Sequence, residues 1–136
     1  MKQPGVLVVL ITFVLVISFV VASQEAKNDG FVSVALTGAA DGHGSGVFKF
    51  KVKKPESQLC YELSTSNIAL ATSAAVFSSE GSNVSITLDP PTNGRSQGCV
   101  STKADTLADI AANPGRYYVN VMNAEFPNGA IRGQLK

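Results

Sequence analysis

Short segments in which apolar and polar residues alternate recur along most of the chain. The clearest covers residues 47–53, where Phe48, Phe50 and Val52 alternate with lysines. A period of two places alternate side chains on opposite faces of a strand, so one face of this segment is expected to be buried and the other wet. Further strands are predicted over residues 31–36, 59–64, 71–77, 84–88, 117–123 and 130–135, with a short one at residues 99–100.

Turn-forming sequences separate these segments. Residues 41–46 are too rich in glycine for a regular element, and residues 90–94 read Pro-Pro-Thr-Asn-Gly. Proline cannot donate a hydrogen bond to a strand ladder, and Asn-Gly accepts a positive φ, so the chain is expected to turn there.

One segment has helical rather than alternating spacing. Leu107 and Ile110 lie three positions apart, and Asn113-Pro114-Gly115 follows as a stop signal. Thr102 or Asp105 is predicted to cap the first turn. A helix of about ten residues is marginal alone, so it is expected to dock on the sheet.

Seven or eight short strands and one short helix indicate an all-β fold. The pattern favours an antiparallel β-sandwich or barrel with Greek-key-like connections. It leaves the order of the strands in the sheet open.

The N-terminal segment is of a different kind. Residues 6–21 are apolar, with Lys2 before them and Ala22 and Ser23 after them. This order is typical of a secretory signal, and the apolar run is slightly short for a membrane span. We therefore predict a signal peptide over residues 1–23, with an uncleaved anchor as the alternative. A flexible lead-in over residues 24–29 and one domain over residues 30–136 follow it.

The charge balance argues against a nucleic-acid partner. The chain has 11 basic and 10 acidic side chains, and one of the basic ones is Lys2 in the export segment. The remaining domain is nearly neutral. Its basic cluster, Lys49, Lys51, Lys53 and Lys54, is interpreted as the wet face of a strand.

Cys60 and Cys99 follow an export signal and are even in number. Thiols outside the reducing cytosol are commonly oxidised, so we predict a disulfide between them, with Cys60 on the outer face of its strand. In the chain-entropy model such a link stabilises the fold by roughly 4 kcal/mol. A redox-active or metal-binding pair would need closer spacing or added ligands.

Six sequence stretches are distinctive: LCYEL at 59–63, NIA at 67–69, GCV at 98–100, DIAANP at 109–114, YYVNV at 117–121 and EFPNGAIRGQL at 125–135. Together they resemble the CHRD domain, named for chordin and widespread in exported bacterial proteins. The resemblance covers nearly the whole chain after the export segment, and it implies an all-β extracellular domain with no established catalytic reaction. In chordin itself it implies association with a secreted growth factor system.

At three positions this sequence differs from the pattern that the resemblance implies. Exported members that this chain resembles carry His-Ile-His on the strand after the NIA stretch and a third histidine directly after YYVNV. Ala75, Phe77 and Met122 occupy those positions here. We therefore expect no metal there and no cofactor. The substituted residues are predicted to form a small apolar patch, either covered or exposed, with Phe77 and Met122 as a candidate contact surface.

Few residues remain for other chemistry. His43 lies in the glycine-rich loop, and the alternative function is a copper-type extracellular protein with relocated ligands, His43 and the sulfurs. Asn83-Val84-Ser85 fits a glycosylation sequon, relevant only in a eukaryotic secretory pathway. The chain lacks the G-x-S-x-G, H-E-x-x-H and phosphate-loop motifs, so no enzyme is expected.

The preferred interpretation is a secreted or periplasmic, non-enzymatic binding or structural module. Its partner is expected to be an extracellular protein or surface component that the sequence does not identify. Membrane contact is expected only if the N-terminal segment is not cleaved.

Overall fold

The domain is built from antiparallel β-strands, as predicted. The structure, a computed structural model, describes residues 30–40, 42–81 and 85–136. Helix α1 (Ala104–Ala112) and a 3-10 turn (Pro114–Arg116) lie between the sixth and seventh strands. Within the described residues there are eight strands: β1 (Val32–Gly38), β2 (Ser45–Lys53), β3 (Gln58–Ser66), β4 (Ala71–Ser78), β5 (Ser85–Leu88), β6 (Arg95–Ser101), β7 (Tyr117–Asn123) and β8 (Ile131–Gln134).

All the described strands belong to one sheet with the order β5-β4-β7-β8-β1-β2-β3-β6. Strands β1, β2 and β3 form a meander, whereas the connections from β3 to β4 and from β6 to β7 cross to non-adjacent strands. The sheet curls until its two edges, β5 and β6, approach each other. The architecture is therefore a nearly closed barrel, which removes most of the exposed edge that an open sheet would present.

Apolar side chains fill the interior of the barrel. The alternation predicted for β2, β3 and β7 is confirmed, because Phe48, Leu63 and Val119 are at most 2% exposed. Every strand except β6 contributes fully buried or nearly buried residues to this core, and β6 contributes the partly buried Val100. The largest fully buried side chains are Tyr61, Phe48, Leu36, Leu59, Leu63, Leu107, Ile110, Ile131, Val34, Val76, Val119 and Val121.

Tyr61 links the two edges of the sheet from inside. Its ring packs beside Phe48, with 6.2 Å between ring centroids. Its hydroxyl accepts a hydrogen bond of 2.8 Å from the backbone N–H of Asp89, directly after β5. A Cβ atom on Gly98 of β6 would lie 3.5 Å from this hydroxyl, so the ring crosses β6 where no side chain intervenes. The contact therefore joins β3, next to one edge, to the other edge.

Helix α1 docks on the sheet as predicted, with Leu107 and Ile110 inserted in the core. The predicted cap is wrong: the N-cap residue is Lys103, and no side chain caps the first turn. Asp105 instead lies in that turn, where its negative charge is favourable near the positive end of the helix dipole.

The predicted disulfide is confirmed. Cys60 on β3 lies directly opposite Cys99 on β6, with 3.9 Å between their Cα atoms. Cys60 alternates with the core residues Leu59 and Tyr61, so it lies on the outer face. It is nevertheless only 4% exposed. Its sulfur is bonded to that of Cys99, and Lys51 is its cross-strand neighbour on β2.

Strand β6 is longer than the two-residue segment that was predicted. Its first residues are polar and include Arg95 and Gln97, so they carry no alternation of apolar residues. Pairing with β3 makes them a strand, which is a tertiary effect that the local sequence does not record.

Three predictions concern residues outside the described part of the chain: the export segment 1–23, the lead-in 24–29 and the sequon at Asn83. Among the residues that the structure describes, no helix has the length and apolar character needed to cross a bilayer.

The Tyr61 contact generates the first prediction. Tyr61→Phe keeps the ring and removes the acceptor for the Asp89 N–H, so the free energy of unfolding in urea should fall by about 1–2 kcal/mol. Tyr118→Phe is the matched control, because within the described residues its hydroxyl makes no hydrogen bond. Equal effects of the two substitutions would contradict the role given to Tyr61.

Candidate functional site

The three positions at which the sequence departs from the family pattern, Ala75 and Phe77 on β4 and Met122 on β7, lie on the outer face of the sheet. Ala75 and Phe77 are two residues apart on β4, and Met122 on β7 pairs with Ser73. Val76, which lies between Ala75 and Phe77 on β4, and Val121, which precedes Met122 on β7, face the core. Ala75 and Met122 are therefore diagonal neighbours across the pair of strands, with Phe77 one step further along β4.

This outer face is partly covered by its own side chains. Ala75 is 7% exposed, and Phe77 and Met122 are half-buried. Phe77 stacks on Tyr118, its cross-strand partner, with ring centroids 5.6 Å apart. The Arg132 guanidinium of β8 lies over the same tyrosine ring, 4.8 Å from its centroid. We call Phe77, Tyr118 and Arg132 the aromatic–arginine ladder.

The turn between β7 and β8 covers Asn120, the outward-facing residue of β7 between Tyr118 and Met122. Asn120 points outward beside Ala75 but is only 4% exposed. Its Nδ2 donates to the carbonyl of Asn128 at 3.1 Å, and Arg132 Nη2 donates to the same carbonyl at 3.2 Å. A side chain on Gly129, which has a φ of 138°, would collide with Asn120 Oδ1. The turn and the ladder therefore hold each other in place.

A second surface lies on the outer faces of β2, β3 and β6. Lys49, Lys51 and Lys53 project from β2 on the side away from the core, as their alternation predicts. The strands form two open depressions of about 470 and 870 Å³ that share Glu62 and Gln97. We call this combined depression the basic groove. Its lining side chains include Lys49, Lys51, Lys53, Glu62, Arg95 and Gln97.

A polar cluster fastens helix α1 to the sheet. Tyr117 Oη donates to Asp109 Oδ2 at 2.6 Å, and Asn113 Nδ2 donates to Asp109 Oδ1 at 2.9 Å. These two hydrogen bonds, the one from Tyr117 foremost, lower the pKa of Asp109. Burial, followed by the bond to Asp109, raises the pKa of Tyr117 to about 12. Arg116 lies 3.6 Å from Asp109 and 3.5 Å from Glu80, which adds exposed ion pairs.

The ligands of the alternative copper-type site do not come together. Both sulfurs of Cys60 and Cys99 are used by the disulfide. Met122 lies on β7, four strands along the sheet from β3. His43 lines a small cavity of about 50 Å³ with Glu125. Across residues 30–40, 42–81 and 85–136, no group of three or more His, Cys, Asp or Glu side chains could hold a metal ion.

Sequence reasoning missed Tyr118, Asn120 and Arg95 as members of these surfaces. The alternation of YYVNV places Tyr118 outward, but its contact with Phe77 depends on the pairing of β4 with β7. Arg95 likewise reaches the lysines only because β6 pairs with β3.

Comparison with known proteins gives one family. A family model described as the CHRD domain matches residues 25–135. No curated protein and no solved structure matches the chain. The matched range contains the disulfide, the aromatic–arginine ladder and the basic groove.

The polar cluster on α1 generates a pH prediction. Tyr117 has a pKa raised from 10.0 to about 12, so its contribution to stability is present below pH 10 and is lost as the pH rises toward 12. Asp109 has a lowered pKa, so its contribution is present above the ordinary aspartate value of about 4 and is lost in acid.

Tyr117→Phe should therefore remove part of the stability at neutral pH and flatten both limbs of the profile. Urea unfolding of the wild type and the variant from pH 2 to pH 12 measures the difference, with Tyr118→Phe as the control. A variant profile parallel to that of the wild type would refute the assignment.

The half-buried position of Phe77 generates a third prediction. Phe77→Ala should lower the free energy of unfolding by about 2 kcal/mol, below the 3–5 kcal/mol typical of a fully buried phenylalanine. Leu70→Ala is the control, because Leu70 is 66% exposed and should change stability by less than about 0.5 kcal/mol. Unchanged stability of Phe77→Ala would mean that the ladder does not support the fold.

Proposed function

The chain belongs to the CHRD domain family, and from this premise we propose that it works outside the reducing cytosol as a non-enzymatic binding or structural module. The observation that carries the proposal is the filled interior of the barrel. Phe48, Leu59 and Val76 are each 0% exposed and occupy the space where a ligand-binding barrel would hold a cavity. A partner must therefore be contacted on the outer surface.

The disulfide supports a location outside the cytosol. Structural disulfides persist in oxidising compartments and are rare where thiols are kept reduced. The link between Cys60 and Cys99 agrees with the export segment predicted at residues 1–23. The proposed partner is accordingly an extracellular protein or a surface component, and contact with a membrane is proposed only if that segment stays attached.

The outer face of β4, β7 and β8 is the proposed contact surface for a protein partner. Tyrosine, arginine, phenylalanine and methionine are enriched in protein interfaces. Phe77, Tyr118 and Arg132 lie together on this face, and Met122 lies on the same face four residues beyond Tyr118 along β7. The stacking within the ladder fixes three of these side chains before a partner arrives. Binding would then cost less conformational entropy than ordering free side chains.

The test uses the full chain, produced with its own N-terminal segment and recovered from the extracellular or periplasmic fraction. Met122→Lys should abolish cross-linking to a discrete component of the native extracellular material that the wild type captures. Met122 is half-buried on the outer face, so the fold should tolerate the substitution.

Val32→Lys is the matched control, since Val32 is an apolar residue 40% exposed on β1 and the substitution adds the same charge. Its cross-linking should equal that of the wild type. Equal capture by all three proteins would reject this contact surface. Recovery from the cytosol with two free thiols under denaturing conditions would reject the proposed location.

A further inference from the structure

The basic groove is distinct from the aromatic–arginine ladder and carries its own inference. Lys49, Lys51 and Lys53 occupy alternate positions of β2, so their Cα atoms repeat at about 6.8 Å along the strand. Arg95 adds a fourth cation from β6, across β3. The cations of β2 and β6 therefore lie on the two sides of the outward-facing residues of β3.

The charge of the groove differs from that of the whole molecule. Among the described residues that line the groove, the cationic side chains outnumber the single carboxylate, that of Glu62, which lies opposite both Lys49 on β2 and Gln97 on β6. The formal net charge of the whole chain is only +1. Positive charge is thus concentrated on one side of a nearly neutral domain, which favours an anionic ligand there.

The shape of this surface favours a long and narrow ligand. The two depressions share Glu62 and Gln97, so they adjoin each other over β2, β3 and β6, and both are open to solvent. Gln97 adds an amide to the lining, which can donate to neutral oxygen atoms between the charged groups of a ligand. The Ser64 hydroxyl donates to the Val47 carbonyl, so its oxygen can accept a hydrogen bond from a hydroxyl group of a ligand.

We propose that the basic groove binds an extended anionic polysaccharide through its carboxylate or sulfate groups. The site lies on other strands than the contact surface proposed above for a protein, so it goes beyond the proposed function. Lys49 and Lys53 bind successive anionic groups along one side of the polymer, and Arg95 binds from the other side. Glu62 opposes binding and limits the affinity.

The backbone pairing of the strands beneath the groove disfavours a peptide as the ligand. An extended peptide commonly gains affinity from main-chain hydrogen bonds to a free sheet edge. The backbone of β3 is already paired with β2 on one side and with β6 on the other, and the unpaired edge of β6 faces β5 rather than the groove. A peptide lying over this face would leave its own N–H and C=O groups without backbone partners, whereas a polysaccharide needs only the side chains.

Other polyanions fit the groove less well. Single-stranded nucleic acid is commonly held by aromatic side chains on which its bases stack. The aromatic residues that line the groove in the described part of the chain are Phe31, at one end, and Tyr61, which is almost fully buried. The combination of cations with amide and hydroxyl groups therefore favours a sugar polymer.

The experiment measures binding of short dextran sulfate to the oxidised full chain, with neutral dextran and a single-stranded oligonucleotide of similar length as comparison probes. The double variant Lys49→Gln, Lys53→Gln should raise the dissociation constant for dextran sulfate about fivefold at low salt. The control double variant Lys103→Gln, Lys136→Gln removes the same charge outside the groove and should change it less than about twofold.

Glu62→Gln provides an independent test, because it should tighten binding of dextran sulfate about two- to threefold. Loss of folding cannot produce a gain in affinity. Circular dichroism and thiol titration confirm that each variant retains the sheet and the disulfide.

Three outcomes would overturn the proposal: no binding of dextran sulfate by the wild type, equal losses in the two double variants, or equal binding of the oligonucleotide or of neutral dextran. None of them affects the capture of a protein through Met122, so failure of this inference and failure of the proposed function can be told apart.

Discussion

The Tyr61 hydroxyl accepts a hydrogen bond from the Asp89 backbone and thereby holds the short edge strand β5 against the far side of the sheet. β5 has only four residues and pairs with β4 alone, so this bond adds to the anchoring that the buried side chains of Ile86 and Leu88 provide. Closure in turn seals the apolar core, because an open sheet would expose Ile86 and Leu88 to water. It also sends every polar group that alternates with the core outward. Both candidate surfaces follow from this closure.

The local sequence predicts well which side chains of a strand face the core, and it predicts poorly which strands pair with each other. Phe48 and Leu63 alternate with polar residues, and a period of two is a property of the single strand. The order of the strands depends on which edges meet after collapse, and no short stretch of sequence records this. The same reason explains Asn120, whose outward direction follows from the alternation of its strand but whose burial comes from the turn that contains Gly129.

The candidate surfaces were predictable only in part. Phe77 and Met122 could be placed on one face because a family resemblance aligned them, but the partner that stacks on Phe77 belongs to β7 and the cation that completes the ladder belongs to β8. In the basic groove, the lysines of β2 could be read as a wet face. Arg95 could not be added to them, because its strand has no alternation and forms only by pairing with β3.

The disulfide connects the predicted export of the chain to the basic groove. Strand β6 is an edge strand that pairs along its full length with β3 alone, and it supplies Arg95 and Gln97 to the groove. The Cys60–Cys99 link fixes β6 to β3 at the floor of the same groove. With the thiols reduced, β6 would be held by its backbone ladder and the partly buried Val100, and its cation would be less firmly placed relative to Lys49. The groove is therefore best ordered in an oxidising compartment, where an extracellular polymer would be encountered.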